Sequence, residues 1–372
     1  MIIANDKNYN RLSDVLNIIK IPLFVLIVFI HNTNSTTIVP GIVLGPGTNV
    51  PLYYYISQYI SEVWSRIAVP GFFLISGYLF FFNTVFGKET YLNKLKRRVK
   101  SLLLPYLFWN LLFMVYYYLL PLLIPSFFQE EGHEITMKNI ICSLWVTKNG
   151  HAINQFWYIR DLLVCSLISP VFYFLFTWNK ALKFISFSAF FLLWLFGLNL
   201  PMVGSYGFSS VALFFFGLGA LLGIESIIFT DYINNSIYVI IAFLLSVIDL
   251  MTPYSFIHAL YHNLFILFGL VAVFYVIGTI YDKGYICHTK MLSFISSASF
   301  FVYAIHLPWI MIPLRRLLFN VLEPRSDLSL LILYISIVAM CIIFSLIIYY
   351  CLLKLFPQFT IFITGGRFNK KL

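Results

Sequence analysis

The stretch IPLFVLIVFIHNTN, residues 21–34, decides the fold class of this chain. It lies within an apolar segment, residues 16–37, that is long enough to cross a bilayer as a helix. Lys20 directly precedes the stretch, and His31 follows eleven residues later. Eleven helical residues make about three turns and about 16 Å of rise, so both side chains share one stripe of a helix. Because an ionisable group at membrane depth costs roughly 2.5–3.5 kcal/mol, His31 is a candidate functional residue.

The composition extends this reading to the whole chain. Of its 372 residues, 61% are hydrophobic and 10% charged, and the mean hydropathy is +0.90. Soluble domains carry about 25% charged residues, so most of this chain is expected to lie in lipid. We predict an all-α polytopic membrane helix bundle that forms one domain over residues 1–372. Ten spans are expected, near residues 16–37, 58–83, 101–124, 157–178, 182–200, 207–224, 236–252, 258–279, 291–313 and 328–353.

The basic residues predict how the bundle is oriented. With the N-terminus inside, the cytoplasmic segments hold seventeen of the 24 Lys and Arg residues. The external loops hold five, namely Lys138, Lys148, Arg315, Arg316 and Arg325. The positive-inside rule therefore favours cytoplasmic termini in a multi-pass protein of the cell inner membrane. Because the positive charge is spread among short loops, no nucleic-acid partner is expected.

The start of the first span and the cysteines give two further expectations. A polar lead runs directly into the span, which is read as an uncleaved anchor with Ser13 or Asp14 as its helix cap. Pro22 lies in the first turn or kinks the helix. The five cysteines have no paired spacing, so neither a disulfide framework nor a metal site is expected.

Two interpretations of His31 are open. It could be a packing histidine that forms a hydrogen bond to a neighbouring helix. It could also be a general base, because a neutral imidazole in a dehydrated site can take a proton from an alcohol that attacks an acyl group. In the second case, Asn32 and Asn34 are candidate contacts for a polar acceptor.

A cluster of six basic residues occupies the thirteen positions from Lys88 to Lys100. Within it, Arg97 and Lys100 lie one turn apart at the start of the third span. Arginine suits bidentate phosphate contacts and lysine suits point-charge contacts, although anionic lipid headgroups would satisfy the same residues. Lys20 by itself could be a membrane-edge lysine that reaches the headgroups.

Two pairs of opposite charges lie inside predicted spans. Glu62 and Arg66 are four residues apart, which predicts a helical ion pair of structural importance. Arg160 and Asp161 are adjacent, so we expect them to face different directions and to find separate partners. Arg160 lies at the outer end of the fourth span, where it could contact a substrate.

The remaining intramembrane histidines are read as structural or left open. His258 and His262 have the spacing of metal ligands, but no third ligand is evident, and packing is favoured. His306, in SFFVYAIHLPW, is ambiguous in the same way.

Several segments occur in a specific order: a first span ending in His31, then IAVPGFFLISGYLFF, KRRVKSLLLPYLFWNLL, QFWYIRDLLVCSLISP and SFFVYAIHLPW. Together they resemble the acyltransferase 3 family of membrane-bound enzymes, whose members O-acylate surface sugars. The resemblance covers most of the chain.

The resemblance implies roles for individual residues. It implies that His31 is essential to transfer and that Lys20 is the basic residue eleven positions before it, usually arginine in the family. Two arginines three apart before a proline are a second family feature, matched here by Arg97 and Lys100 ahead of Pro105. Asn17 stands where the family often has Asp. Lysine for arginine keeps the charge but removes bidentate geometry.

The resemblance and the residues predict one mechanism. A membrane O-acetyltransferase would move an acyl group, most often acetyl, from cytoplasmic acyl-CoA to a hydroxyl of a cell-surface or lipid-linked saccharide. The CoA phosphates would contact Lys20, Arg97 and Lys100, and the pantetheine arm would reach His31. His31 would deprotonate the sugar hydroxyl, with Arg160 positioning the acceptor. Membrane lipids are the remaining partners, and no metal is expected.

Two alternatives belong to other classes of protein. A proton-coupled transporter or flippase for a saccharide or lipid-linked precursor would use His31 as a proton relay. Such a carrier more often needs an intramembrane carboxylate, for which only Glu62 and Asp161 are candidates. An inactive sensor that retains the fold is the third possibility, with little support in the sequence.

Overall fold

A computed structural model of the chain describes residues 6–32, 42, 45, 47–119, 136–145, 153–202, 207–252, 255–286 and 289–366. Asn34 lies outside these residues. Within the described ranges the backbone is mainly helical, and the β-structure is an isolated antiparallel bridge between Leu200 and Phe208. The predicted all-α fold is confirmed.

The α-helices before residue 200 are α1 (Asp6–Ile18), α2 (Lys20–His31), α3 (Pro51–Gln58), α4 (Ala68–Phe81), α5 (Lys88–Arg98), α6 (Leu104–Met114), α7 (Met137–Leu144), α8 (Trp157–Leu167), α9 (Ser169–Thr177) and α10 (Lys180–Leu195). Those after it are α11 (Ser210–Ile224), α12 (Ile237–Met251), α13 (Phe256–Asp282), α14 (Lys290–Ile305), α15 (Ile312–Leu322), α16 (Asp327–Leu355) and α17 (Pro357–Thr364). Wider π-helical turns occur at Tyr59–Val63, Val99–Leu103, Val115–Leu119 and His306–Met311, and 3₁₀ turns at Trp64–Ile67, Asn154–Phe156 and Phe229–Asp231.

Six helical stretches of the described chain are long and apolar enough to cross a membrane: Asn8–His31, Pro51–Phe81, Lys88–Tyr117, Phe256–Asp282, Lys290–Leu322 and Asp327–Leu355. The pair α8 and α9, bent by 55°, is a seventh candidate. Helices α10, α11 and α12 lie at the three remaining predicted spans but have only 16, 15 and 15 residues. Length and composition therefore support six or seven spans of the ten predicted.

Prolines explain two interruptions of these helices. Pro22 has no N–H to donate to the carbonyl of Ile18, and the chain makes a turn at Ile19 between α1 and α2. Pro170 similarly follows the bend between α8 and α9. The first span begins earlier than predicted, because Ser13 and Asp14 lie inside α1 and do not cap a helix there.

The chain divides into two compact units. The first comprises Met1–Phe72, Ile228–Leu355 and Phe368–Leu372, and the second comprises Phe73–Ile227 and Phe356–Arg367. In the second unit, glycines let two helices approach backbone to backbone. A Cβ at Gly219 would lie 2.1 Å from the Leu74 carbonyl oxygen, and one at Gly77 would lie 2.2 Å from that of Phe216. Small residues at such contacts are typical of helix packing in membranes.

Candidate active site

Helix α2 carries both ends of the predicted catalytic axis. It runs without interruption from Lys20 to His31, so the two side chains lie on one helix, as predicted. Leu23 and Ile27 are among the buried residues of this helix. The side chain of Lys20 donates a hydrogen bond to Asn17 Oδ1 over 2.9 Å, where an aspartate would form an ion pair. His31 is the last helical residue and is partly buried.

Arg315 forms hydrogen bonds to the C-terminal end of helix α2. Its Nη2 donates to the His31 carbonyl oxygen over 2.9 Å and to Asn32 Oδ1 over 3.1 Å. The Asn32 amide in turn donates to the Tyr334 carbonyl oxygen over 2.8 Å. A positive charge at a helix C-terminus is favourable, because the last carbonyls carry partial negative charge.

The predicted placement of Arg315 in an external loop is wrong. Arg315 lies in α15 and is only 6% exposed. The C-terminal end of α2 provides hydrogen-bond acceptors for the guanidinium, which lowers the cost of burying Arg315. Assigning basic residues to loops by the positive-inside rule could not reveal such a partner. Arg316, the next residue, is exposed.

A second histidine contacts the His31 ring. The ring centroids of His31 and His306 are 5.2 Å apart, with the rings tilted by 44°. His306 is 0% exposed and begins the π-helical turn between α14 and α15. Its Nδ1 lies 2.8 Å from the Tyr303 carbonyl oxygen and 3.2 Å from that of Val302. The structure thus places His306 at the candidate site.

Two hydroxyls support the last turn of α2. Ser61 Oγ donates to the Phe29 carbonyl oxygen over 2.7 Å. Because this uses its single hydrogen, the Tyr334 hydroxyl donates to Ser61 Oγ over 2.7 Å. The position of the histidine is thus held by neighbours on several helices.

The basic cluster on α5 belongs to the second unit and has two faces. Arg97 and Lys100, the predicted phosphate contacts, are exposed. Lys94 points inward and donates to the Phe80 carbonyl oxygen and, over 2.9 Å, to Thr84 Oγ1. Arg98 is half-buried, with its guanidinium carbon 5.7 Å from the Phe80 ring centroid. No described residue accepts a hydrogen bond from Arg98.

A sequence model of the acyltransferase 3 family, described as an acyltransferase domain, matches residues 14–350. The chain belongs to the acyltransferase 3 family. Comparison with curated proteins and with solved structures finds no match. Together with the apolar helices, membership identifies a multi-pass membrane acyltransferase.

Arg160 of this acyltransferase lies in the second unit and pairs with its neighbour. Its guanidinium lies 2.8 Å from Asp161 Oδ1 and donates to the Gly207 carbonyl oxygen over 3.0 Å. Asp161 Oδ2 accepts a hydrogen bond from the Ser209 amide over 2.9 Å. The expectation of separate partners is wrong in this respect, because the long arginine side chain curls back to the adjacent carboxylate. Both side chains are buried, at 2% and 0% exposure.

The other predicted charges have mixed outcomes. Glu62 and Arg66 form the expected ion pair. His258 and His262 do have a third polar neighbour, which the sequence pattern did not reveal. Asp249 on α12 lies 3.2 Å from His258 Nε2 and 2.8 Å from His262 Nδ1. Even so, within the part of the chain that the structure describes, no group of three His, Cys, Asp or Glu residues is arranged to hold a metal ion.

Sequence reasoning missed residues in each of the two units. Arg315 and Tyr334 carry no motif signal, since each is recognisable only by what it touches. Arg98 had a usable signal, because it follows Lys94 by four residues and therefore shares its helix face.

Proposed function

We propose that this acyltransferase moves an acyl group, acetyl in the first instance, from cytoplasmic acyl-CoA to a hydroxyl of a cell-surface or lipid-linked saccharide. His31 is the proposed general base. The supporting observation is its position: the ring is partly exposed, and no described residue forms a hydrogen bond to either ring nitrogen. A base in this condition is available to an incoming hydroxyl.

The transfer uses the His31 nitrogen twice. As the hydroxyl oxygen attacks the thioester carbonyl, a neutral imidazole nitrogen takes the hydroxyl proton and the new C–O bond forms. When the C–S bond breaks, the same nitrogen returns the proton to the CoA sulfur. The guanidinium of Arg315, whose Nη2 lies 2.9 Å from the His31 carbonyl oxygen, is the proposed source of positive charge near the carbonyl oxygen on which negative charge develops.

The donor is proposed to bind through its phosphates. In the first unit, Lys20 is the proposed contact, at the opposite end of α2 from His31. In the second unit, Arg97 and Lys100 keep the roles that the family resemblance implies. We add Arg98 to this set, because a half-buried guanidinium with no acceptor among the described residues is suited to an anionic group.

The acceptor contacts are proposed from the sequence. Arg160, Asn32 and Asn34 are the candidates. Asn32 already bonds to Tyr334 and Arg315, but its amide retains a second N–H and its oxygen a second lone pair. These are the groups through which Asn32, which is 1% exposed, is proposed to contact the acceptor hydroxyl.

The location proposed is the cell inner membrane, with both termini cytoplasmic, as the distribution of basic residues favours. A proton-coupled carrier is a poorer explanation. Its two candidate carboxylates, Glu62 and Asp161, are each paired with an arginine.

Purified protein incubated with labelled acetyl-CoA and candidate glycans tests the function directly. We expect label transfer by the wild type, a loss of about 10³-fold in His31→Ala, and little change in His258→Ala, which is remote in sequence and outside the site. Transfer unaffected by His31→Ala would remove the catalytic role of His31.

The donor contacts need a separate measurement. Arg98→Ala should raise the KM for acetyl-CoA about tenfold or more, since hydrogen bonds to charged groups contribute about 1.5–3 kcal/mol. Arg97→Ala removes a proposed phosphate contact on the exposed face of the same helix and should also raise the KM. An unchanged KM in both variants would contradict the phosphate assignment on α5.

A further inference from the structure

We propose that His306 is a positioning residue for the transfer reaction, whose Nε2 accepts a hydrogen bond from the His31 imidazole and orients that ring toward the acceptor hydroxyl. This inference rests on the proposed function of His31. It assigns a role to a histidine that the sequence left ambiguous between packing and function.

The backbone fixes which nitrogen of His306 carries the proton. Both atoms near Nδ1 are carbonyl oxygens, of Tyr303 at 2.8 Å and Val302 at 3.2 Å. Carbonyl oxygens only accept, so Nδ1 must bear the hydrogen, and a neutral His306 presents a lone pair at Nε2. The ring therefore has a defined acceptor.

That acceptor is buried and has no partner among the described residues. Nε2 is inaccessible to solvent, and the whole residue is 0% exposed. Buried polar atoms are rarely left without a hydrogen bond, and an exception calls for a functional explanation. Two rings lie next to that of His306: the His31 ring, with centroids 5.2 Å apart, and the Tyr303 ring, at 6.1 Å. We assign Nε2 to the nearer ring, that of His31.

The separation of the rings suits this bond. Two imidazoles joined by a linear N–H···N hydrogen bond have centroids roughly 5 Å apart, since the bond itself spans about 3 Å. The observed separation is 5.2 Å. The structure has no hydrogen bond between these two rings, so the proposed bond forms when the His31 ring turns about its own side-chain bonds, which a partly exposed ring can do.

The backbone around His306 is built to aim the ring. His306 begins a π-helical turn, and Pro308 within it has no N–H to continue the regular α-helical pattern. The His306 carbonyl lies 3.6 Å from Cys341 Sγ on α16. Single π-turns are frequent at functional sites because the extra residue redirects side chains.

In the proposed step, one nitrogen of His31 takes the proton of the acceptor hydroxyl while the other donates its N–H to His306 Nε2. No proton is lost, since His31 returns the acquired proton to the CoA sulfur as the C–S bond breaks. His306 thus does for His31 what an orienting third group does in a catalytic triad.

Three substitutions separate this role from packing. His306→Phe keeps the ring and removes the acceptor, His306→Gln keeps an oxygen able to accept near Nε2, and His306→Asn places its amide near Nδ1 only. We expect His306→Phe to lower kcat about 100-fold with KM for acetyl-CoA within about twofold, and His306→Gln to recover about tenfold of that loss. His258→Phe is the control and should retain wild-type kcat.

The outcomes distinguish the two hypotheses. Full kcat in His306→Phe, or equal kcat in the Gln and Asn variants, overturns the positioning role while leaving His31→Ala to report on the function. If His306→Phe fails to fold, the comparison of Gln with Asn decides. Wild-type protein that transfers no label overturns the proposed function and this inference together.

Discussion

Replacing Arg315 with methionine tests whether the end of helix α2 must be held for His31 to work. Methionine keeps an unbranched apolar stem and removes the guanidinium. Two hydrogen bonds disappear, to the His31 carbonyl oxygen at 2.9 Å and to Asn32 Oδ1 at 3.1 Å. The adjacent Arg316 is exposed and provides a matched control on the same helix.

The expected loss follows from the two bonds. Hydrogen bonds to charged groups contribute about 1.5–3 kcal/mol each in soluble proteins, and interhelical ones in membranes average about 0.6 kcal/mol. Arg315→Met should therefore lower the free energy of unfolding by about 1–6 kcal/mol. Its effect on rate should be larger than that of simple destabilisation, because a displacement of about 1 Å at a reacting group can cost about 100-fold.

Two measurements check this reasoning. Unfolding in mixed detergent micelles gives the change in free energy, and labelled acetyl transfer gives kcat at a temperature where both variants are folded. Arg316→Met should match the wild type in both. Wild-type stability and kcat in Arg315→Met would refute the idea that Arg315 holds the site, and loss of stability with full kcat would limit its role to folding.

Two further pairs of substitutions test the second unit. Asp161→Asn breaks a buried ion pair and should cost about 3–5 kcal/mol of unfolding free energy, whereas Glu225→Gln, in an exposed pair, should cost less than about 1 kcal/mol. Equal losses would show that burial does not govern the pair. Gly219→Ala places a methyl 2.1 Å from the Leu74 carbonyl oxygen and should cost about 1–3 kcal/mol. Gly217→Ala meets side-chain atoms rather than backbone, namely the Phe190 ring at 3.2 Å and the Phe172 ring at 3.3 Å, and a loss as large as at Gly219 would contradict the close-packing argument.

Hydropathy predicted the helical class and the approximate position of each long helix, because long runs of apolar residues mark the segments that lie in lipid. It predicted helix ends less well. Ser13 and Asp14 look like caps, yet they lie inside α1, where the helix begins before the apolar segment. The effect of proline was partly predictable. The sequence left two positions open for Pro22, the first turn of a helix or a kink within one, and the structure places it in the first turn of α2, after the turn at Ile19.

In the candidate site, too, local features were predictable and contacts between distant segments were not. Sequence spacing placed Lys20 and His31 on one helix, because helical periodicity is local. Contacts between distant segments have no local signal. The bond of Arg315 to the His31 carbonyl joins residues 284 positions apart, and the neighbourhood of His306 arises in the same way. The pairing of Arg160 with Asp161 was missed for another reason, since adjacency describes where two side chains start and not how far a flexible one reaches.

The unbroken helix from Lys20 to His31 fixes the distance between the proposed phosphate contact and the proposed base. Its length is fixed by the backbone at about 1.5 Å per residue. If Lys20 binds a CoA phosphate and His31 is the base, as proposed, the depth of the base relative to that contact is the same for every acyl-CoA. Donors that differ only in the acyl chain would place their thioester at the same depth. Any preference for one acyl chain would then be determined by residues that contact the chain itself. One residue inserted into this helix would turn His31 by about 100° relative to Lys20, which changes the direction of the base with little change in its depth.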